Sequence, residues 1–272
     1  MRQGLRLTVA LCVLGAAAQA AMAQAAAVVT EVRGHGTLAQ RDGRRPLAPR
    51  AVLGPGDAVL LAEGARAAVA VLASGHVYDA HGPGAFRLHA GALRAEGGGR
   101  VERREIAAAL AALAVAPARN VQATVVMRSG ERNGFAVLAP LGRQLEADAR
   151  VLRWRAAHAA GEWTYRVVLS DDDGAIVYEA TTRATELRLP PAVALARGKP
   201  YVVEVFAHGP FGRALEAAGE FVLIDEATEA RIERARAAAG DDPSAHAVLA
   251  VAYERQGLMQ AAARAWESLG GR

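Results

Sequence analysis

The sequence predicts a mainly β chain with a helical tail, and three observations carry the prediction. Residues 28–94 are short apolar or alternating runs at regular spacing, broken by glycine and proline clusters. A second stretch, roughly 121–224, repeats that texture with longer strands, and residues 226–269 change to helical periodicity. Alternation with period 2 marks half-buried strands, whereas apolar residues at i, i+4 and i+7 mark a helix face.

Residues 1–23 carry the features of a cleavable signal peptide. Arg2 and Arg6 give a positive start, Leu7 to Leu14 form a short apolar core, and Ala21-Met22-Ala23 offers the small-x-small pattern of a cleavage site. The core is shorter than the roughly 20 residues of a spanning helix; the alanines up to Ala27 extend the run and keep an uncleaved anchor as the alternative. Cys12 does not make a lipoprotein site, because Leu11 stands where a small residue is required and Cys12 lies inside the apolar core. Cleavage would remove the only cysteine, leaving no disulfide and no thiolate chemistry, which suits a bacterial periplasm at least as well as the extracellular space. It would also lower the net charge from +4 to about +2. Lys199 is the only lysine and the arginines are scattered, so nucleic-acid binding is not expected.

The first β region, 28–95, is read as strands at 28–32, 37–40, 58–61, 66–72, 76–80, 85–88 and 92–94. Gly54-Pro55-Gly56-Asp57, Glu63-Gly64, Ser74-Gly75 and Gly82-Pro83-Gly84 supply the turns between them. Residues 96–119 are read as a linker and a short helix. Gly97-Gly98-Gly99 forms a flexible, protease-sensitive break, and a helix over 101–115 with Ile106, Leu110 and Leu113 on one face ends at Pro117. The second β region, 120–225, has its clearest strands at 151–155, 163–169, 175–180, 186–189, 201–207 and 220–224. Trp163, Tyr165, Val167 and Leu169 share one face, and Asp171-Asp172-Asp173-Gly174 is a hairpin turn. The tail, 226–272, is a helix closed by Gly240, then an α-hairpin capped by Asp241 or Asp242 and divided at Gly257.

Three resemblances follow from these residues. Val32-Arg33-Gly34, Leu53-Gly54-Pro55-Gly56-Asp57, Glu63-Gly64-Ala65-Arg66, Ser74-Gly75-His76 and Gly82-Pro83-Gly84-Ala85-Phe86 resemble a FecR-like domain, a β module of exported bacterial proteins. Membrane-anchored FecR-type sigma regulators place a cytoplasmic segment and a transmembrane helix ahead of that module. The signal-peptide reading leaves room for neither, so anti-sigma activity is not implied. Leu152-Arg153-Trp154, Tyr165-Arg166-Val167, Leu187-Arg188-Leu189-Pro190 and Gly198-Lys199-Pro200-Tyr201 resemble a fibronectin type III-like sandwich, which implies that Trp154 packs in the core and Tyr201 begins a late strand. Leu249, Ala250, Tyr253, Gly257, Ala262 and Trp266 are similar in order and spacing to one tetratricopeptide unit. One such unit cannot bury both faces alone, so helix 226–239, the sandwich or a partner must cover it.

No catalytic constellation emerges. His76, Asp79, His81 and His89 are the best metal candidates, but on a strand His76 points away from Asp79, and no zinc spacing is present. Asp171–Asp173 suit a hard cation yet lack the EF-hand spacing. Ser74 and Ser170 sit in no nucleophile elbow, and Gly97-Gly98-Gly99-Arg100 lacks the ending of a phosphate loop. Asp225-Glu226 and Asp241-Asp242 fall at helix starts, where acids complement the dipole. Trp154, Trp163 and Tyr201 are expected in the core rather than on a sugar.

The expected role is therefore that of an exported, non-enzymatic binding or scaffold protein of the bacterial envelope, without a cofactor. Its partner would be an envelope protein or a peptidoglycan component, recognised by strand addition at a sheet edge or by the helix pair. After cleavage it would not be an integral membrane protein. Leu249, Tyr253, Ala262 and Trp266 are the candidate docking or packing residues, and deletion of 241–272 is expected to leave the β regions folded. The alternatives are a periplasmic sensor relaying a signal to a membrane partner, or a glycan-acting enzyme whose carboxylates would lie roughly 5–9 Å apart in a cleft.

Overall fold

A computed structural model describes residues 26–116, 134–156 and 162–270. The expected signal peptide and the expected helix terminator Pro117 lie outside these residues. The described chain is mainly β with a helical C-terminal part and divides into two compact units. One gathers Met1–Ala118, Arg231–Gln256 and Ala265–Arg272; the other gathers Arg119–Ala230 and Gly257–Arg264.

The first unit holds two antiparallel five-stranded sheets. One is built from β1 (Ala27–Arg33), β4 (Val52–Leu53), β6 (Arg66–Val71), β7 (His76–His81) and β10 (Arg100–Glu105), in the order β10-β7-β6-β1-β4. The other is built from β2 (Gly36–Gln40), β3 (Gly43–Pro46), β5 (Ala58–Leu61), β8 (Gly84–His89) and β9 (Ala92–Glu96), in the order β3-β2-β5-β8-β9. Val29, Leu38, Val59, Val69, Phe86 and Leu88 belong to one buried cluster drawn from both sheets. The Gly56-Asp57 step anchors a turn: Asp57 Oδ2 accepts from the Gly54 amide at 2.8 Å and from Gln40 Nε2 at 2.6 Å.

Alternation would leave the opposite face of β1 and β6 in water, yet Val28, Ala68 and Ala70 are at most 1% exposed. Helix covers them. α1 (Ala108–Ala114) packs on α4 (Pro243–Arg255), and α4 packs on β1 and β6. Thr30 Oγ1 on β1 and Ser244 Oγ on α4 lie 2.9 Å apart in a buried hydrogen bond. Since Ala247 to Tyr253 are all buried, α4 is a layer of this unit.

The structure corrects the expected helix over 101–115. Arg100–Glu105 is a strand in register with β7, from Arg100↔His81 to Glu105↔His76, and the helix starts only at Ala108. Gly97–Gly99 accordingly turn the chain between two strands of one unit. A Cβ on Gly99 would lie 2.6 Å from Phe86 Cζ and 2.8 Å from the His81 carbonyl oxygen, so only glycine fits this closely packed turn.

The second unit is a sandwich. β11 (Val137–Ala139), β13 (Val151–Trp154) and β16 (Glu186–Arg188) form one sheet, ordered β11-β13-β16. β12 (Gly142–Gln144), β14 (Thr164–Asp171), β15 (Ile176–Thr182), β17 (Pro200–His208) and β18 (Ala214–Leu223) form the other, ordered β12-β18-β17-β14-β15. Trp154, Tyr165, Val203 and Phe221 lie in its core, with Trp154 edge-on to Tyr165 at 5.5 Å between ring centroids. β18 begins six residues earlier than the 220–224 strand read from sequence. Its Ala- and Glu-rich start has helical propensity, but pairing with β17 from His208↔Ala214 onward overrides it. α2 (Glu146–Ala149) is a further short helix of this unit. In the tail, α3 (Glu226–Ala239) and α5 (Met259–Gly270) flank α4 in sequence.

Candidate functional site

Each sequence candidate has a place in this frame. β7 puts His76 and Asp79 on opposite faces. Asp79 is 8% exposed and accepts from Arg66 Nη2 at 3.0 Å and Arg104 Nε at 3.2 Å. Arg104 also reaches Asp242 Oδ2 at 2.5 Å, and Asp242 caps α4 by accepting from the Ser244 amide. Burial works against the Arg104 charge, but the hydrogen bonds and charges of Asp242 and Asp79 outweigh it, so its pKa is raised. Asp79 thus ties β6, β7 and β10 to the cap of α4, and it is not gathered with the histidines.

Among the described residues, the carboxylates of Asp171, Asp172 and Asp173 lie within 4.8 Å of one another, close enough to hold a cation. The cation already there is Lys199, with Nζ 3.0 Å from Asp171, 2.9 Å from Asp172 and 3.4 Å from Asp173. Hydrogen bonds to Asp172 and Asp171 hold the lysine pKa above its usual value. Lys199, followed by the Ala175 amide, holds that of Asp171 below its usual value. The Asp171 carboxylate also accepts from the Asp173 and Ala175 amides, which makes the cluster the closing turn of the β14–β15 hairpin.

The other candidates serve structural ends. Asp225 caps α3, accepting from the Thr228 amide at 2.8 Å. Ser74 Oγ donates to the Val71 carbonyl, and Ser170 lies on β14. Trp154, Trp163 and Tyr201 are 2%, 7% and 3% exposed. Tyr201 Oη accepts from the Ala196 amide at 2.6 Å, pinning the start of β17 to the loop before it. Leu249, Tyr253, Ala262 and Trp266 are all buried. Tyr253 Oη accepts from Arg236, and Trp266 Nε1 donates to Glu254 Oε1 at 2.9 Å.

What the second unit leaves open is the edge of its larger sheet. β15 pairs with β14 on one side and is last in the strand order, so among the described residues no strand lies beside its outer row of backbone groups. Ile176, at its start, is 59% exposed. Sequence reasoning raised strand addition without naming the edge, because edge position is set by strand order and leaves no local signal.

No protein-family model and no curated protein matches the chain. Among solved structures it is similar to the tetra-tandem repeat in the extending region of a large adhesion protein, at 16% identity and a TM-score of 0.26 over 75% of this chain and 46% of that one. It is also similar to PorZ, a surface component of the type-IX secretion system of Porphyromonas gingivalis, at 11% identity and a TM-score of 0.22 over 67% and 24%. The chain spans about half of the first and a quarter of the second, and likeness at this level carries no functional argument.

Proposed function

We propose that the chain is an exported, non-enzymatic binding or scaffold protein of the bacterial envelope, which recognises an extended segment of an envelope protein by strand addition at β15. The first unit is read as FecR-like and the second as fibronectin type III-like. The three-against-five strand order and the Tyr201–Ala196 hydrogen bond at the start of β17 support the second reading, since that bond has the geometry of a tyrosine corner.

The observation that carries the binding role is the outer edge of β15, which pairs with no strand among the described residues and is seven residues long with an exposed apolar start. Such an edge offers main-chain hydrogen bonds for affinity and alternate side chains for selectivity. The helix pair is the weaker surface, because its matching residues are packed inside.

A photo-reactive residue in place of Ile176 tests the proposal in cell envelopes. One discrete protein should crosslink, and Thr181→Lys, which blunts the edge with a charge, should abolish the product. A crosslink that survives Thr181→Lys, or none at all, overturns the proposal.

A further inference from the structure

Register places opposite charges on the outward faces of two sheets. In the β3-β2-β5-β8-β9 sheet, Leu38, Val59, Phe86 and Leu88 point into the core, so their strand neighbours point out. The outward residues line up across the strands as Arg44–Ala39–Ala58–Arg87–Arg94, beside a row of Thr37, Leu60, Ala85 and Glu96. The floor is low and partly apolar. Arg87 is held by Glu96, both carboxylate oxygens 2.9 Å from its Nε. Arg44 and Arg94 are exposed and have no ion pair among the described residues.

The larger sheet of the sandwich shows the reverse. Tyr165, Val167, Val203, Val205 and Phe221 point inward. Outward, the register aligns Thr181–Arg166–Phe206–Glu216, then Glu179–Val168–Glu204–Ala218, then Val202 beside Glu220. Arg166 bonds Glu179 at 2.7 Å and lies 5.6 Å from the Phe206 ring centroid. Glu216 and Glu220 have no ion pair among the described residues. Val202 and Phe206 are half-buried at the centre of this face, and Val168 between them is buried.

From this complementarity we infer that the chain associates with further copies of itself, head to tail, the Arg44/Arg94 face of one copy seating on the Glu216/Glu220 face of the next. Two unlike patches on one chain give a heterologous contact, which grows open chains or rings rather than closing on a two-fold axis. From strand spacing, each face covers on the order of 300 Å², well below the roughly 800 Å² a side of a standard interface. The association is therefore weak and rests on charge. This inference goes beyond recognition at β15 and does not depend on it.

Sedimentation of the full chain, over about a hundredfold range of concentration, tests it at low and at high salt. At about 0.01 M salt, where the Debye length is about 30 Å, mass should rise with concentration; at about 1 M, where it is about 3 Å, the chain should be monomeric. Arg44→Glu/Arg94→Glu and Glu216→Arg/Glu220→Arg should each abolish association while keeping the wild-type melting temperature. Mixing the two variants should restore it, because each then offers the charge that the other lacks. A wild-type chain monomeric at every concentration overturns the inference. So does a mixture that fails to associate, or variants that associate as wild type does. Loss of the Ile176 crosslink would not bear on it, since that product reports a different protein.

Discussion

Trp266 and Glu254 form a local arrangement with Arg50. The indole is 5% exposed, the Arg50 guanidinium stands 4.9 Å from its centroid, and its N–H meets Glu254. Trp266→Ala should cost about 3–5 kcal/mol in chemical denaturation. Glu254 Oε2 is buried without a hydrogen bond. Desolvation raises the pKa of this carboxyl above 4.5, against the Trp266 hydrogen bond and the Arg50 charge. Between the unfolded and folded values the native chain keeps a proton that the unfolded chain has lost, so this group's contribution to stability falls as pH rises through that window. Glu254→Gln should therefore melt at or above the wild-type temperature near pH 7 and lose that acid-side dependence, which thermal melts across the window would show. Lys199 suggests a second test: calcium should leave the wild-type melting temperature unchanged and raise it in Lys199→Ala, where the three carboxylates lose their cation. Trp266 and Tyr253 were legible as packing aromatics from the resemblance to a tetratricopeptide unit, and both are buried. Glu254 and Lys199 were not, because their roles depend on partners distant in sequence.

For the strands and helices, legibility followed how local the deciding force was. The short strands between glycine turns were readable, since turn chemistry and alternation are written in adjacent residues. β10 was not: its charged residues run into an alanine-rich segment, and only pairing with β7 makes it a strand. The triglycine followed from the same error, since a run that looks like a linker is here required by steric contact. Gly99 has φ +75° and no room for a Cβ, so Gly99→Ala should destabilise the first unit by more than about 1 kcal/mol in denaturant titration. A protease cut at Gly97–Gly99 should leave the pieces together on gel filtration, because β10 stays paired with β7. Release of a free N-terminal fragment would contradict that pairing. The candidate surfaces were the least legible feature, since strand order and register decide which arginines and glutamates share a face.

Across the whole molecule, no helix among the described residues is long and apolar enough to cross a membrane. If residues 1–23 are removed on export, N-terminal sequencing of envelope-derived protein should begin at Gln24 or within a few residues of it. The tail behaves differently from a separable module. Removing 241–272 strips α4 from β1 and β6 and exposes Val28, Ala68 and Ala70, so the truncated chain should lose cooperative melting of its first unit, read by circular dichroism. The Thr30–Ser244 hydrogen bond also has a consequence in time. If the chain crosses an export channel from its N-terminal side, β1 emerges well before α4, with the whole sandwich between them. The sandwich can close as soon as it emerges, whereas the unit that holds the leading strand must wait, one face unsealed, until the trailing helix arrives.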